Sequence, residues 1–363
     1  AQLRIQYPYN TAPTQFIIAD KAFEDSNRLS LTDLNYVERS NKIRIEKLLN
    51  GVDVVLPVYH ALTTGATCTL FNASNVAIAD GSGVTGPDGA ITLSNVVIPP
   101  GLIYSVCTGG YYTDEATGEI TDAPNTRAAM IYSGTGDLVI LASPLSEIAY
   151  QLAGTDLAST ITAKNAEVAA AFGLNSVDII STIPTDINTT KAANDAAGKF
   201  GTVLAAISQM GENSKDDNPI VTITALVNDM RDSGTIEGRD SFDIVKAIKM
   251  FANSTGDNNK RNGPGAANID LSTGEGSVIG DLSIAFIDAY GGTGTTVPTV
   301  LQYADAGVTG VTVNNLAAVN AAVANQPAGT TALIQALADT VITAANDAPT
   351  ISGTPAATVA EDT

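Results

Sequence analysis

Residues 65–112 read GATCTLFNASNVAIADGSGVTGPDGAITLSNVVIPPGLIYSVCTGGYY, and this stretch decides the fold of the first half of the chain. Short segments with apolar side chains at alternate positions are separated by turn sequences such as Gly86-Pro87-Asp88-Gly89. A period of two, interrupted by turn signals about every eight to twelve residues, is typical of antiparallel strands in a β-sandwich. The same pattern holds over residues 51–142, so we predict an antiparallel β-sandwich there.

The same stretch contains a T…DG turn, a strand, and a PPG–Y corner that leads into the next strand. In these features it resembles the carboxypeptidase-regulatory-like, or transthyretin-like, sandwich family. The positions that carry the resemblance are Thr85, Asp88, Gly89, Pro100, Gly101 and Tyr104. The resemblance implies a structural or spacer role and no catalytic residue.

The two cysteines of the chain, Cys68 and Cys107, both lie in strand-like segments of this predicted sandwich. We infer a disulfide that closes a loop of about 40 residues and adds about 3–4 kcal/mol to stability. Such a bond would place the protein in an oxidising compartment. The alternative is two unpaired, buried thiols.

From Ser143 onward the period of the apolar residues becomes helical. Ser143 and Pro144 supply an N-cap followed by proline at the first helical position, which is a signal for a helix start. We predict Ala-rich helices over 144–153, 156–172, 189–210, 219–231 and 240–252, with Gly154, Gly173 and Gly211 as stops. Together they make a helical domain over residues 143–253. Its run LSEIAYQLAG…NAEVAAAFGL resembles a helical module of large secreted or surface proteins of Gram-negative bacteria.

Residues 254–345 are predicted to be a Gly- and Asn-rich loop followed by a small helical unit. The motif AGVTGVTVNNLAAVNAAV in this unit is similar to helical repeats that precede Ig-like arrays in bacterial adhesins. Residues 346–363, NDAPTISGTPAATVAEDT, resemble the opening strand of an immunoglobulin-like or cadherin-like repeat. An opening strand without partners leaves unpaired backbone groups, so we expect it to pair with another sheet.

The formal charge of −20 is spread unevenly along the 363 residues. Residues 1–50 hold seven basic and six acidic side chains, which leaves 11 basic and 32 acidic side chains on the rest. An acidic body repels phosphate backbones, so we expect no nucleic acid partner. Residues 1–50 are predicted to be an N-terminal arm that is more basic than the body. Since no apolar run reaches about 18 residues, we also expect no membrane span.

Residues suited to catalysis are few. The single histidine, His60, lies in a strand-like segment, where a structural role is favoured over that of a base or a ligand. With both cysteines predicted to be paired, no Cys–His pair remains, and no GxSxG or Walker A pattern occurs. We therefore predict that the protein is not an enzyme.

Calcium needs only oxygen ligands, and acidic loops supply these. Asp114, Glu115 and Asp122 crowd one loop at the end of the predicted sandwich, so they are the candidate Ca²⁺ ligands. A solvated turn without metal is the alternative for these residues. We expect no other cofactor.

The sequence thus predicts an α+β multidomain protein, in which an antiparallel β-sandwich is followed by Ala-rich helical domains. The expected function is that of a non-enzymatic structural protein, secreted or on the surface of a Gram-negative bacterium. It would be a filament subunit joined to identical subunits through terminal strands, or a segment of a long adhesin next to other modules. The alternative is a glycan- or peptide-binding adhesion module that depends on calcium.

Overall fold

The computed structural model describes residues 51–213, 219–233, 236, 239–253, 265–292 and 296–346. The predicted arm, residues 1–50, lies outside the described residues, as does the terminal segment after Asn346. Within the described residues the protein is a mixed α+β structure, with antiparallel sheets followed along the chain by helices.

Nine strands occupy the first part of the described chain. They are β1 (Val52–Pro57), β2 (Thr67–Asn72), β3 (Ala77–Val84), β4 (Ala90–Val96), β5 (Gly101–Thr108), β6 (Tyr111–Thr113), β7 (Ile120–Asp122), β8 (Thr126–Tyr132) and β9 (Leu138–Val139). The predicted strands correspond to β1, β2, β4, β5 and β9. Strands β3 and β8 do not stand out in the sequence pattern.

The strands form three sheets. A four-stranded antiparallel sheet has the order β3-β2-β5-β8, and a three-stranded sheet has the order β4-β1-β9. Strand β1 pairs antiparallel with β4 and parallel with β9. Strands β6 and β7 form a separate two-stranded hairpin.

Helices occupy the remainder of the described chain. They are α1 (Pro144–Ala153), α2 (Leu157–Ala171), α3 (Ala196–Asn213), α4 (Pro219–Ser233), α5 (Arg239–Asn253), α6 (Val278–Gly292), α7 (Val300–Asp305), α8 (Leu316–Val323) and α9 (Thr331–Asn346). The bounds predicted for α1 are those observed. No described helix combines the length and the apolar character that crossing a membrane would require.

The start of α1 is fixed by a capping box. The Ser143 side chain accepts a hydrogen bond from the Ser146 backbone N–H. In return, the Ser146 hydroxyl oxygen accepts a hydrogen bond from the Ser143 backbone N–H at 2.8 Å. This satisfies backbone donors that the first helical turn leaves unpaired. Gly154, with φ of 55°, ends the helix as predicted.

Helix α3 begins at Ala196 rather than at residue 189. The residues before it bond outside a helix, since Ala192 N–H donates to the Asn268 carbonyl at 2.9 Å. The Asp195 carboxylate then accepts from Gly198 N–H at 2.8 Å, which favours a helix start at this point. Gly211 lies inside α3 and is not a stop.

One cluster of buried apolar side chains extends from Val54 in β1 to Leu282 in α6, with members from both larger sheets and from α1 to α6. A second cluster joins α6 to α7, α8 and α9. Lys249 of α5 links the two regions by donating to both carboxylate oxygens of Asp305, at 2.9 and 2.7 Å. The predicted domain divisions at residues 143 and 254 stay predictions.

Cys68 and Cys107 form the disulfide that the sequence predicts. They occupy directly opposed positions on the neighbouring antiparallel strands β2 and β5, with their Cα atoms 4.0 Å apart. Both are almost fully buried. The bond therefore crosslinks the two central strands of the four-stranded sheet.

Replacing both cysteines by alanine should lower the free energy of unfolding by about 3–4 kcal/mol, because the unfolded chain loses a closed loop. Urea titration of the wild type and the variant measures this. Reductant should destabilise the wild type by a similar amount and leave the variant unaffected. A loss below about 1 kcal/mol would contradict the stabilising role of the bond.

Candidate functional site

A small pocket of about 70 Å³ lies between the β6–β7 hairpin and helix α3. Its lining includes His60, Asp114 and Glu115, and it faces Leu204 and Ser208 of α3. It therefore contains the single histidine and two of the three residues predicted to bind calcium. Typical small-molecule pockets are larger, about 300–1,000 Å³.

Asp114 organises the loop between β6 and β7. One carboxylate oxygen accepts hydrogen bonds from Ala116 N–H at 3.0 Å and from Thr117 N–H at 2.9 Å. The other oxygen accepts from the Ser208 hydroxyl at 2.7 Å. Asp114 thus shapes its own loop and ties the loop to α3.

Glu115 is only 3% exposed. Burial, followed by the negative charges of Asp114 and Asp186, raises the pKa of Glu115 to about 8, although backbone N–H groups of Glu115 and Ala61 bond to its carboxyl. A carboxyl group with this pKa is mostly protonated at neutral pH. Sequence reasoning selected this residue as an anionic ligand, whereas the structure makes it a largely neutral acid.

His60 is buried, and its Nε2 atom lies 2.8 Å from the Thr126 hydroxyl oxygen. The Thr126 hydroxyl also lies 3.1 Å from the Pro124 carbonyl oxygen, within hydrogen-bond distance. Burial lowers the pKa of His60 to about 4, which favours the neutral ring at neutral pH. The geometry is that of a hydrogen-bonded structural histidine.

Asp122 lies apart from the other two candidate ligands. It is exposed on β7 and pairs with Tyr111, at the end of the hairpin remote from the Asp114 loop. Within the described ranges, no group of three or more His, Cys, Asp or Glu residues has an arrangement that could hold a metal ion. The structure therefore brings Asp114 and Glu115 together and leaves Asp122 outside the pocket.

Two further buried polar groups were not found by sequence reasoning. The Tyr59 hydroxyl and the Asn188 Oδ1 atom are buried and have no hydrogen-bond partner among the described residues. Burial, together with the charges of Asp186 and Glu115, raises the pKa of Tyr59. Asn188 is held by a 2.9 Å hydrogen bond from its Nδ2 to the Thr113 carbonyl. No spacing in the sequence connects Tyr59 to Glu115, because only the fold brings these two residues close enough for their charges to interact.

Tyr104, Tyr111 and Tyr112 do not share one exposed face on which a sugar ring could stack. Tyr104 and Tyr112 are buried, and only Tyr111 is substantially exposed. Tyr104 stacks on Phe71 with ring centroids 5.2 Å apart, and its hydroxyl donates to Asn75. Tyr104 therefore serves packing within the sheet.

Burial shifts the pKa values of Glu115 and His60 in opposite directions, and both shifts favour the neutral form of the side chain at neutral pH. Both cysteines of the chain are engaged in the disulfide, so neither is available as a nucleophile. No model of a known protein family matches the chain, and no curated protein matches it.

Glu115→Gln should remove a pH dependence of stability. The folded state keeps the Glu115 proton up to about pH 8, whereas an unfolded glutamate loses it near pH 4.3. The stability that protonated Glu115 contributes is therefore complete at low pH and is lost as the pH rises through about 8. The free energy of unfolding should fall by at most about 1.4 kcal/mol per pH unit for this one group.

Urea unfolding between pH 5 and 9 measures the slope. The exposed Asp122→Asn variant, which removes a carboxylate from the same hairpin, should keep the slope of the wild type. Equal slopes in the wild type and Glu115→Gln would show that Glu115 is not the titrating group.

Proposed function

We propose that this protein is a non-enzymatic structural protein of a bacterial surface, which assembles with identical subunits through terminal strands or forms part of a long adhesin. The observation that carries the proposal is the edge of the larger sheet, where β3 has β2 as its one strand neighbour among the described residues. Such an edge presents backbone groups that can pair with another chain.

The two larger sheets act as the layers of one β-sandwich in this proposal. Val54 and Leu56 of the three-stranded sheet belong to the same buried cluster as Leu70 and Ile103 of the four-stranded sheet. Shared burial of alternate side chains from two sheets is the packing expected of a sandwich. This arrangement leaves β3 and β4 as edges on the same side, since these two consecutive strands contact each other.

The ends of these two strands also expose apolar side chains. Val76 precedes β3, Val84 is the last residue of β3 and Val97 follows β4, and they are 56%, 58% and 38% exposed. An edge with neighbouring apolar side chains favours strand addition, because the ladder supplies hydrogen bonds while the side chains supply burial. The occupant proposed here is the terminal segment 347–363 of another subunit, which carries Ile351 and Val359.

Two further observations support an extracellular structural role. The Cys68–Cys107 disulfide is typical of proteins in oxidising compartments. The one histidine of the chain is buried and hydrogen-bonded to Thr126 rather than placed beside a nucleophile at a surface.

Deleting residues 347–363 leaves helix α9 intact and tests the proposal. The full chain should form filaments or oligomers in electron micrographs and in sedimentation velocity, and the shortened chain should remain monomeric. The donated strand supplies the backbone ladder, so its loss removes the connection.

Point variants supply a matched control, because alternate residues of a strand face opposite sides. Ile351→Asp should weaken assembly strongly, whereas the adjacent Ser352→Asp should have a smaller effect. Assembly that is unchanged by the deletion would refute the terminal segment as the connector.

A further inference from the structure

The fold leaves a second open region, on the opposite edge of the larger sheet. A groove of about 460 Å³ lies beside the end of strand β8 and is lined in part by Met130, Ile131 and Ile180. Ile131 is 43% exposed, although it lies on a strand that is otherwise well covered. An apolar groove next to an exposed isoleucine can bury the apolar side chains of an added segment, which is favourable.

The backbone edge of β8 is covered only along part of its length. Arg127 N–H donates to the Glu147 carboxylate at 2.8 Å, and the Arg127 carbonyl accepts from the Ser146 hydroxyl at 2.8 Å. The Ala129 carbonyl accepts from Asn165 Nδ2 at 3.0 Å. In an antiparallel edge strand, the backbone N–H and C=O groups of every second residue point away from the sheet. Like those of Arg127 and Ala129, those of Ile131 therefore point outward. They have no partner among the described residues, so side chains of α1 and α2 cover the edge up to Ala129 and leave Ile131 open.

The charges around the groove favour a basic occupant. Asp178 is exposed at the groove, and Asp53 and Asp137 are exposed where β1 begins beside the β8–β9 connection. The nearby basic side chains are already engaged, because Lys164 pairs with Glu167 and Arg127 pairs with Glu147. Asp178 accepts hydrogen bonds from Ile180 N–H and from the Ser181 hydroxyl, but no basic side chain of the described residues forms an ion pair with Asp178, Asp53 or Asp137.

Residues 41–48, Asn-Lys-Ile-Arg-Ile-Glu-Lys-Leu, match both properties of the groove. In an extended conformation Ile43 and Ile45 share one face, and Lys42, Arg44 and Glu46 share the other. One face can thus contact the apolar groove while Lys42 and Arg44 are directed toward the acidic surroundings.

This segment lies within reach of the groove. The chain enters β1 at Gly51, and an extended segment would allow Ile45 to lie up to about 20 Å from that point. The groove is close to β1, because Ile140 N–H donates to the Val55 carbonyl and the adjacent Leu141 N–H donates to the Ile180 carbonyl. Ile180 is thus about two strand spacings, or about 10 Å, from β1.

We infer that residues 41–48 bind in the groove beside β8 of the same molecule, as a short added strand that pairs with the Ile131 edge. The segment would cover the one stretch of this edge that α1 and α2 leave open. This inference is independent of the proposed function, which concerns residues 347–363 and the opposite edge.

Cysteine crosslinking in the full chain tests the inference. The chain has no free cysteine, so Ile45→Cys combined with Ile131→Cys introduces one new pair. Under oxidised glutathione, a 45–131 disulfide should form within the monomer, as detected by peptide mapping. Its rate should exceed that of an Ile45→Cys and Ile120→Cys control by at least about tenfold, because docking raises the effective concentration of the thiols.

Ile120 is a suitable control because it is 75% exposed and lies on the hairpin after the far end of β5. High salt should slow the 45–131 reaction, since it screens the attraction between Lys42, Arg44 and the acidic rim. Equal rates for the two pairs would overturn the inference. Crosslinks formed only between two chains would also overturn it, because they would place a second copy in the groove.

Hydrogen exchange gives a second test that does not alter the groove. In the Ile43→Asp and Ile45→Asp double variant, the amides of residues 129–132 should exchange faster than in the wild type. The Ile17→Asp and Ile18→Asp variant makes the same change elsewhere in residues 1–50 and should leave this exchange unaltered. Unchanged exchange at 129–132 in the first variant would contradict docking at β8.

Discussion

The carboxylate of Glu147 joins the sheet to the helices. It accepts hydrogen bonds from the Arg127 backbone N–H at 2.8 Å and from Arg127 Nε at 3.1 Å, and it forms an ion pair with the same guanidinium. Glu147 is only 4% exposed, and a buried carboxylate without such partners would be strongly destabilising. This ion pair therefore helps to hold α1 against β8, and helices α2 and α4 in turn pack on α1.

Packing around this contact makes the sheets and the first helices interdependent. Leu145, Ile148 and Ala149 of α1 are fully buried in the same cluster as the central strands. The Arg127 guanidinium also lies 4.2 Å from the Tyr150 ring centroid, which adds a cation–π contact to the ion pair. In this account the strands and helices α1 to α6 share one core, and α7 to α9 form a second one joined through α6.

Local signals in the sequence predicted much of this fold. The Ser143-Pro144 start and Gly154 stop gave the bounds of α1, and the cysteines in two strand-like segments gave the disulfide. Strand β3 was not recognised because Asp80, Gly81 and Gly83 are typical of turns. Here Gly83 leaves room for the end of the Ile91 side chain, since a Cβ would lie 1.8 Å from Ile91 Cδ1. The candidate site was only partly predictable, because the burial of Glu115 and its proximity to Tyr59 depend on tertiary structure.

Native-state hydrogen exchange of an Ile148→Ala variant tests the shared core most directly. Truncating this fully buried side chain should lower the opening free energy of amides in β5 and in α1 equally, by about 2–5 kcal/mol. Ile334→Ala, in the second core, should affect β5 much less. A loss of protection confined to the helices, with β5 unchanged in Ile148→Ala, would show that the sheet and the helices unfold separately and would contradict this account.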